Sequence, residues 1–231
     1  MELTATVAAT VAPTALAGER TLPVAAALVP LLPEGALVRG RAVACEGAAA
    51  TSLAVALTVE ATASGSWVAV VDVPWLGVEA AAELGVPLER LVRIDPAPDE
   101  RNGAAAWAEL MGAVLDGFEL VVTRVPPRAG AAVLRRVRSR VQHRGAVIVT
   151  VGGRLPGAWS PDITVRAAAA TWEGVERGWG HLCGRRVTVE SSGRRCPRPR
   201  RAELWLPGPG GVIAPVAIDA APDAAQLRPA G

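Results

Sequence analysis

Residues 67–73 read WVAVVDV, a continuous hydrophobic run with the length of one β-strand. Such a run is typical of a strand buried on both faces, as in parallel sheets. Comparable runs occur on either side of it, at residues 42–46, 91–94, 120–125 and 146–151. Helical patterns separate these runs, at residues 51–62, 77–85, 104–115 and 129–144. The alternation predicts an α/β protein with a mostly parallel sheet flanked by helices.

Composition divides the chain into three parts. Residues 1–34 are rich in Ala, Thr and Pro, with a short helix predicted near 24–32. Residues 35–206 are expected to form the core domain, which ends in an antiparallel β extension. Its predicted strands are residues 163–169, 186–190 and 203–206. Residues 207–231 carry Pro, Gly and Ala without periodicity and are expected to be a flexible tail.

The charged residues exclude several classes of enzyme. All 24 basic residues are Arg, so a Lys Schiff base, a Ser-Lys dyad and a P-loop lysine are absent. Residues 1–123 carry a net charge of −9 and residues 124–231 a net charge of +11. This polarity favours a nucleic-acid or acidic partner, although a genome rich in Arg codons explains it equally well.

The cysteines and the hydropathy bear on the compartment. Three cysteines without Cys-x-x-Cys spacing do not predict a disulfide framework or a complete zinc site. No uncharged apolar run is long enough to span a bilayer, and the first residues lack the features of a signal peptide. We therefore expect a cytoplasmic protein that does not enter the membrane.

The loop after the first core strand is where a P-loop would bind phosphate. Gly47 fits the first glycine of G-x-x-x-x-G-K-[ST], and Thr51 is the last variable position. Ser52 replaces the second glycine, Leu53 the lysine and Ala54 the hydroxyl residue that holds magnesium. The alternative is that the chain never bound a nucleotide and that Gly47 only closes a turn.

The strand LVVTR, residues 120–124, shows a matching loss. A Walker B strand ends in an Asp that supports the metal, and the positions available here are Thr123 and Arg124. An Arg beside a magnesium site would repel the ion. The sequence thus predicts a degenerate nucleotide site, with no cofactor, no metal and no catalytic residue.

Three stretches together resemble the RecA fold. Residues 37–57, LVRGRAVACEGAAATSLAVAL, are similar to the P-loop region of the RecA family without its lysine. Residues 67–94 resemble the second strand and helix of the RecA-like proteins encoded beside error-prone polymerases. The segments DITVRAAAATWEG, CGRRVTVESSGR and RRAELWL resemble the antiparallel hairpin that ends the RecA core. The resemblance, over about residues 22–206, is to the actinobacterial RecA-like mutasome accessory family, ImuA-prime.

This resemblance implies a RecA-like core and a non-catalytic role in damage-induced translesion synthesis. The implied partners are an ImuB-like Y-family protein and a DnaE-type polymerase, and single-stranded DNA is a further candidate. Two alternatives stay open. One is an ATP-dependent RecA-like DNA enzyme with a divergent site, and the other is a cell-division inhibitor similar to SulA.

Two groups of arginines are candidate DNA-binding or partner-binding residues, because Arg recognises phosphate and carboxylate through two parallel hydrogen bonds. The first lies on the helix at 129–144, where Leu134, Val137 and Val141 form the buried stripe and the arginines are expected on the exposed arc. The alternative for this helix is an ordinary solvated face. The first group is Arg135, Arg136, Arg138 and Arg140.

The second group belongs to the antiparallel extension. Pro197 and Pro199 predict an exposed turn or sheet edge there, since proline cannot donate to a ladder. So many like charges on one hairpin favour an anionic partner. This group is Arg185, Arg186, Arg194, Arg195, Arg198, Arg200 and Arg201.

Tryptophans complete the candidates. Trp159 and Trp179 lie in the region where RecA proteins place a DNA-binding loop, and an exposed indole there can stack on bases or anchor a protein interface. Trp172, in the same region, is expected to pack over the core. Trp75 follows a strand at the carboxyl edge of the sheet and is expected to fill the space of a nucleotide base.

Overall fold

The structure, a computed structural model, describes residues 20–96, 103–152, 155–176 and 179–216. Four α-helices are formed, α1 (Ala50–Ala63), α2 (Val78–Glu83), α3 (Ala104–Gly117) and α4 (Ala131–Arg144). Short 3-10 helices occupy Ala26–Leu31, Leu88–Arg90 and Pro209–Gly211. The strands are β1 (Thr21–Leu22), β2 (Leu37–Val38), β3 (Ala42–Gly47), β4 (Val68–Val71), β5 (Leu91–Ile94), β6 (Leu120–Thr123), β7 (Val147–Thr150), β8 (Ile163–Glu176), β9 (Trp179–Gly193), β10 (Cys196–Trp205) and β11 (Ala214–Pro215).

Nine of these strands form one sheet in the order β11-β10-β9-β8-β3-β7-β6-β4-β5. The six from β8 to β5 in that order are parallel to one another, and β9, β10 and β11 continue the sheet in antiparallel fashion. β1 and β2 make a separate antiparallel pair. The α/β class, the mostly parallel sheet flanked by helices and the antiparallel C-terminal extension are therefore confirmed.

The central strands are hydrophobic throughout because both of their faces are covered. Along β7, Val147 and Val149 pack on the face that carries α1 and α2, while Ile148 packs on the face that carries α3 and α4. α1 is buried on almost every side, which explains why its sequence, ATSLAVALTVEATA, has no polar stripe. Leu28 and Leu31 of the first 3-10 helix close the same face over β9 and β10.

All three predicted strands of the extension are too short, and only the first, 163–169, begins where the observed strand begins; β9 begins at Trp179 and β10 at Cys196. β8 was expected to stop at residue 169 and extends to Glu176, and β9 extends on both sides of the predicted 186–190. Residues 168–172 of β8 and 181–183 of β9 are exposed one after another, on both faces, so this part of the hairpin shows no hydrophobic alternation along the sequence. Pro197 and Pro199 lie inside β10, in a part that β11 does not reach, so the predicted sheet edge is confirmed.

The two ends of the chain are described only in part. From residue 20 onward the N-terminal segment packs on the core, and the helix expected near 24–32 is the 3-10 helix Ala26–Leu31. Residues 207–216 are held against β10 through β11 and a hydrogen bond from Val216 to Glu203. Residues 1–19 and 217–231 of the predicted segments lie outside the described residues. In the described part of the chain, no helix has the length and apolar character needed to cross a membrane.

Candidate functional site

A cleft opens at the carboxyl edge of the parallel strands, where β3 ends and α1 begins. It has a volume of about 670 Å³. In an α/β sheet this edge is where ligands bind. The residues that line it are Glu46, Gly47, Ala48, Ala49, Ala50, Thr51, Ser52, Trp75, Gly152 and Leu155.

Gly47 begins this loop and has a structural reason to be glycine. Its φ is +87°, and a Cβ at this position would lie 2.2 Å from the carbonyl oxygen of Ala167 on β8. The close approach of two backbones therefore accounts for the glycine without a phosphate. This outcome agrees with the alternative interpretation, in which Gly47 serves the turn.

The next four predicted positions divide between the cleft and the core. Leu53 and Ala54 are completely buried in the core and do not line the cleft, while Thr51 and Ser52 do. The Trp75 indole N–H donates a hydrogen bond of 3.0 Å to Thr51 Oγ1. Arg185 of β9 donates one of 2.6 Å to Ser52 Oγ. Both hydroxyl groups at the start of α1 therefore already accept a hydrogen bond from another side chain of the protein.

At the end of β6, where the sequence predicts the remains of a Walker B motif, Arg124 forms an ion pair. Arg124 donates from Nε and Nη2 to Asp72 Oδ2, at 3.1 and 2.6 Å. Asp72 follows β4, is 1% exposed and has a φ of +54°, in the left-handed region that Asp tolerates better than most residues. Thr123 is buried, and its hydroxyl accepts a hydrogen bond from the Trp107 indole. A guanidinium and its carboxylate therefore lie where a Walker B site would support magnesium.

Trp75 lines the cleft and is half exposed. A Cβ on Gly152 would lie 3.4 Å from the Trp75 ring and 3.8 Å from Cγ of Arg124, so glycine allows the three to meet. Glu46 is the charged residue among the described ones that line the cleft. A carboxylate at this place repels phosphate.

The arginines of α4 are not all on the exposed arc. Leu134, Val137 and Val141 form the buried stripe, which is confirmed. Arg135 and Arg136 are exposed, and Arg140 pairs with Asp116 of α3. Arg138 contradicts the prediction, because its side chain is only 13% exposed. It turns inward to a buried carboxylate and lies over the Trp159 ring, 5.9 Å from the ring centre.

That carboxylate is Asp162, in the loop before β8, at the amino edge of the sheet. Asp162 Oδ2 accepts hydrogen bonds from the Ala42 N–H and from Arg138, each at 2.8 Å. Asp162 Oδ1 accepts two from Arg194, at 3.1 and 2.6 Å. Burial opposes ionisation of Asp162, but the Ala42 N–H and the two guanidinium groups together lower its pKa below the ordinary value. The two arginine groups, predicted as separate, therefore meet at one residue.

Most arginines of the second group have partners in their own chain. Arg186 pairs with Glu173, Arg201 with Glu190, and Arg200 donates to the carbonyl oxygens of Pro30 and Leu32. Arg185 lies 5.0 Å from the ring centre of Trp172, and burial lowers its pKa. Arg195 and Arg198, in contrast, are exposed and have no side-chain partner among the described residues.

Two comparisons with known proteins bear on this arrangement. Residues 30–157 match the sequence profile of the family described as MT3502 N-terminal domain. The chain belongs to this family. It is also 30% identical over 156 residues to "Uncharacterized protein Rv3395c" of Mycobacterium tuberculosis (strain ATCC 25618 / H37Rv). That alignment covers 63% of this chain and 71% of the relative.

The MT3502 N-terminal domain covers the cleft, the Arg124–Asp72 pair and all of α4, and it ends before β8. The antiparallel extension with the second arginine group lies outside the matched residues. Asp162, which joins the two groups, lies just beyond the match. The buried junction thus connects the family domain to the extension.

The tryptophan predictions are partly reversed. Trp159 is 4% exposed and packs on the core beside Arg138, so it is not a stacking platform. Trp172 was expected in the core and is 47% exposed. Trp179 starts β9, and its side chain lies outside the described residues.

Sequence reasoning missed the acidic partners of these sites. Asp72 follows a strand and Asp162 precedes one, and both positions indicate an edge of the sheet. Their arginine partners are distant in sequence: Arg124 is 52 residues from Asp72, and Arg138 and Arg194 are 24 and 32 residues from Asp162. The sequence patterns place Glu46 at the end of a strand and do not indicate that it lines the cleft. The cysteines are free thiols, of which Cys45 and Cys196 are buried and Cys183 is exposed.

Proposed function

We propose that this protein is a non-catalytic, RecA-like accessory factor of an error-prone translesion-synthesis complex, which works with an ImuB-like Y-family protein and a DnaE-type polymerase. The RecA-like and mutasome parts of the proposal rest on the sequence resemblance. Membership of the MT3502 N-terminal domain family is compatible with them.

The observation that supports a non-catalytic role is the replacement of the nucleotide site. Leu53 is packed in the core, and Arg124 pairs with Asp72 where a metal-supporting acid would be. Glu46 adds a negative charge to the cleft. Each lost charge-assisted contact to phosphate weakens binding by about 1.5–3 kcal/mol, so the affinity for ATP should fall by orders of magnitude.

The surface that fits a protein partner lies around the buried Asp162 junction. Arg194 and Arg138 both bind the buried Asp162 carboxylate, so they hold the β9–β10 turn to α4. Arg195 on that turn and Arg198 on β10 keep their charges exposed, as do Arg135 and Arg136 on α4. We call Arg195 and Arg198, the two on the antiparallel extension, the basic surface; Arg136 instead lines the groove between α3 and α4. An acidic surface of the partner is the complement that this charge favours.

The test is a binding titration between the purified protein and the ImuB-like protein of the same genome. We expect the variant Arg195→Gln/Arg198→Gln to weaken the complex at least tenfold. The matched control, Arg135→Gln/Arg136→Gln, removes the same charge from two exposed side chains on α4 and should leave the affinity within twofold. Equal effects of the two variants would mean that the overall charge of the protein, and not this surface, affects binding.

The alternatives give different results in the same preparation. Micromolar binding of ATP with magnesium, or turnover above the blank, would replace this proposal with the divergent DNA enzyme. Binding to a tubulin-like division protein, without binding to the ImuB-like protein, would favour the inhibitor similar to SulA.

A further inference from the structure

The second half of β8 is a sheet edge that no described residue covers. β3 pairs with β8 from Val43 opposite Ile163 to Gly47 opposite Ala167, and there β3 ends. β8 continues to Glu176, paired with β9 on its other side alone. Residues 168–176 therefore form a projecting strand with one open side, nine residues long.

The main-chain groups on the open side can be assigned. The Arg185 N–H donates to Pro207 O at 2.7 Å, and Arg185 O accepts from Leu206 N–H at 2.8 Å. In an antiparallel sheet both groups of a residue point the same way, so Arg185 does not bond to Trp172, the residue opposite it on β8. The N–H and C=O groups of Trp172, and by alternation those of Ala170, point to the open side. In the described part of the chain they have no hydrogen-bond partner there.

The side chains along this edge do not protect it. Natural sheet edges are usually blocked by charged residues, by proline or by a covering segment. Residues 168–172 are Ala-Ala-Ala-Thr-Trp, and all five are exposed. Trp172 is 47% exposed and Leu182, on the neighbouring strand, is 55% exposed. An unprotected edge of small and aromatic residues is suited to pairing with another strand.

We propose that two copies of this chain pair through this edge, antiparallel, about a two-fold axis at Trp172. Trp172 is the midpoint of the open residues 168–176. Pairing about it uses every open position and stops before Ala167, where β3 already occupies the edge. It sets Trp172 of one copy against Trp172 of the other, and aromatic cross-strand pairs are among the favourable ones. The edge is therefore complementary to itself.

Charge does not oppose this pairing. Glu173 forms an ion pair of 3.0 Å with Arg186 of its own chain, so it brings no unbalanced charge to the axis. The contact is one strand wide and smaller than the interfaces of permanent dimers. The dimer should therefore exchange with monomer as the protein is diluted.

Sedimentation of the full chain over a wide concentration range tests the pairing. We expect the mass to rise from that of one chain, 23.7 kDa, towards twice that value. The variant Ala170→Pro removes an N–H on the open side and no bond to β9, so it should stay monomeric. Ala170→Val keeps the N–H and is the matched control, which should dimerise. A wild-type protein that is monomeric at every concentration, or one whose Ala170→Pro variant still dimerises, would refute the proposal.

Cross-linking tests the register and does not depend on the proline variant. Exposed Cys183 is first changed to Ser, which leaves the two buried thiols. In the proposed register Thr171 of one copy lies opposite Glu173 of the other, as a pair without hydrogen bonds, in which Cβ atoms are close enough for a disulfide. A mixture of the Thr171→Cys and Glu173→Cys proteins should form a mixed disulfide dimer on mild oxidation. No mixed dimer, or as much dimer from each protein alone, would overturn the two-fold pairing at Trp172.

Discussion

Asp162 is the residue whose loss should disturb the structure most. It is 3% exposed and accepts hydrogen bonds from the backbone of β3, from α4 and from the β9–β10 turn. Removing one partner of a buried ion pair leaves the others without compensation. We expect Asp162→Ala to lower the free energy of unfolding by about 3 kcal/mol, measured by urea denaturation. Asp116→Ala, which breaks an exposed pair with Arg140, is the control and should change stability little.

The same residue predicts an acid dependence of stability. Because the folded state lowers the pKa of Asp162 below its ordinary value of 3.8, its contribution is complete above that pH. The contribution is lost as the pH falls further, through the lowered pKa. Urea denaturation of wild type and Asp162→Asn at a series of pH values should therefore show a difference in stability that shrinks below about pH 4. A difference that stays constant there would mean that the carboxylate does not titrate as described.

A substitution at Leu53 tests whether a lysine at the P-loop position would give the cleft an affinity for ATP. Its side chain is completely buried in the core, so an ammonium group at this position has to be desolvated or forced towards the cleft. We expect Leu53→Lys to lower the midpoint of thermal unfolding and to give no ATP binding by calorimetry. Leu53→Met, which keeps the volume and the apolar character, should unfold close to wild type. ATP binding by the lysine variant would show that the site is one residue away from function.

The β3–α1 turn is the element in which a single glycine sets the packing of two strands. A Cβ at Gly47 would meet the Ala167 carbonyl at 2.2 Å, and the φ of +87° is strained for any other residue. We expect Gly47→Ala to destabilise the protein by at least about 2 kcal/mol in chemical denaturation. Gly157→Ala is the matched control, because an added Cβ there meets nothing within 4 Å. Equal stability of the two variants would mean that β8 can move away from β3.

The elements that sequence patterns predicted well are those whose stability is local to one strand or helix. β5 was predicted with its observed bounds, and α3 and α4 to within two residues, because buried runs and helical stripes are visible along the chain. The lengths of β8 and β9 were missed because only their mutual pairing, not burial, defines their ends. The inward turn of Arg138 was missed because its partner comes from another element, 24 residues later.

At the scale of the whole molecule, fewer of the candidate arginines are free to bind a partner than the sequence indicates. Of the arginines proposed as binding residues, Arg138 and Arg194 share Asp162, and three more pair with acids of neighbouring elements. Within the second group, the arginines whose side chains have no partner among the described residues are those of the basic surface, Arg195 and Arg198. A local patch of this kind favours one specific acidic partner over a long polyanion.

The small number of candidate arginines without a partner leads to a prediction for binding of single-stranded DNA. If Arg195 and Arg198 neutralised phosphates, Arg195→Gln/Arg198→Gln would flatten the log–log dependence of affinity on salt by about 1.4, at about 0.7 for each contact. We expect no such change, because the described tryptophans are poorly placed for stacking: Trp159 is buried, and Trp172 lies against Arg185. Fluorescence anisotropy with a labelled oligonucleotide at several salt concentrations measures the slope, and Arg135→Gln/Arg136→Gln, two exposed arginines of α4, control for net charge. A slope that falls by the full amount in the basic-surface variant alone would make DNA, and not the ImuB-like protein, the ligand of this surface.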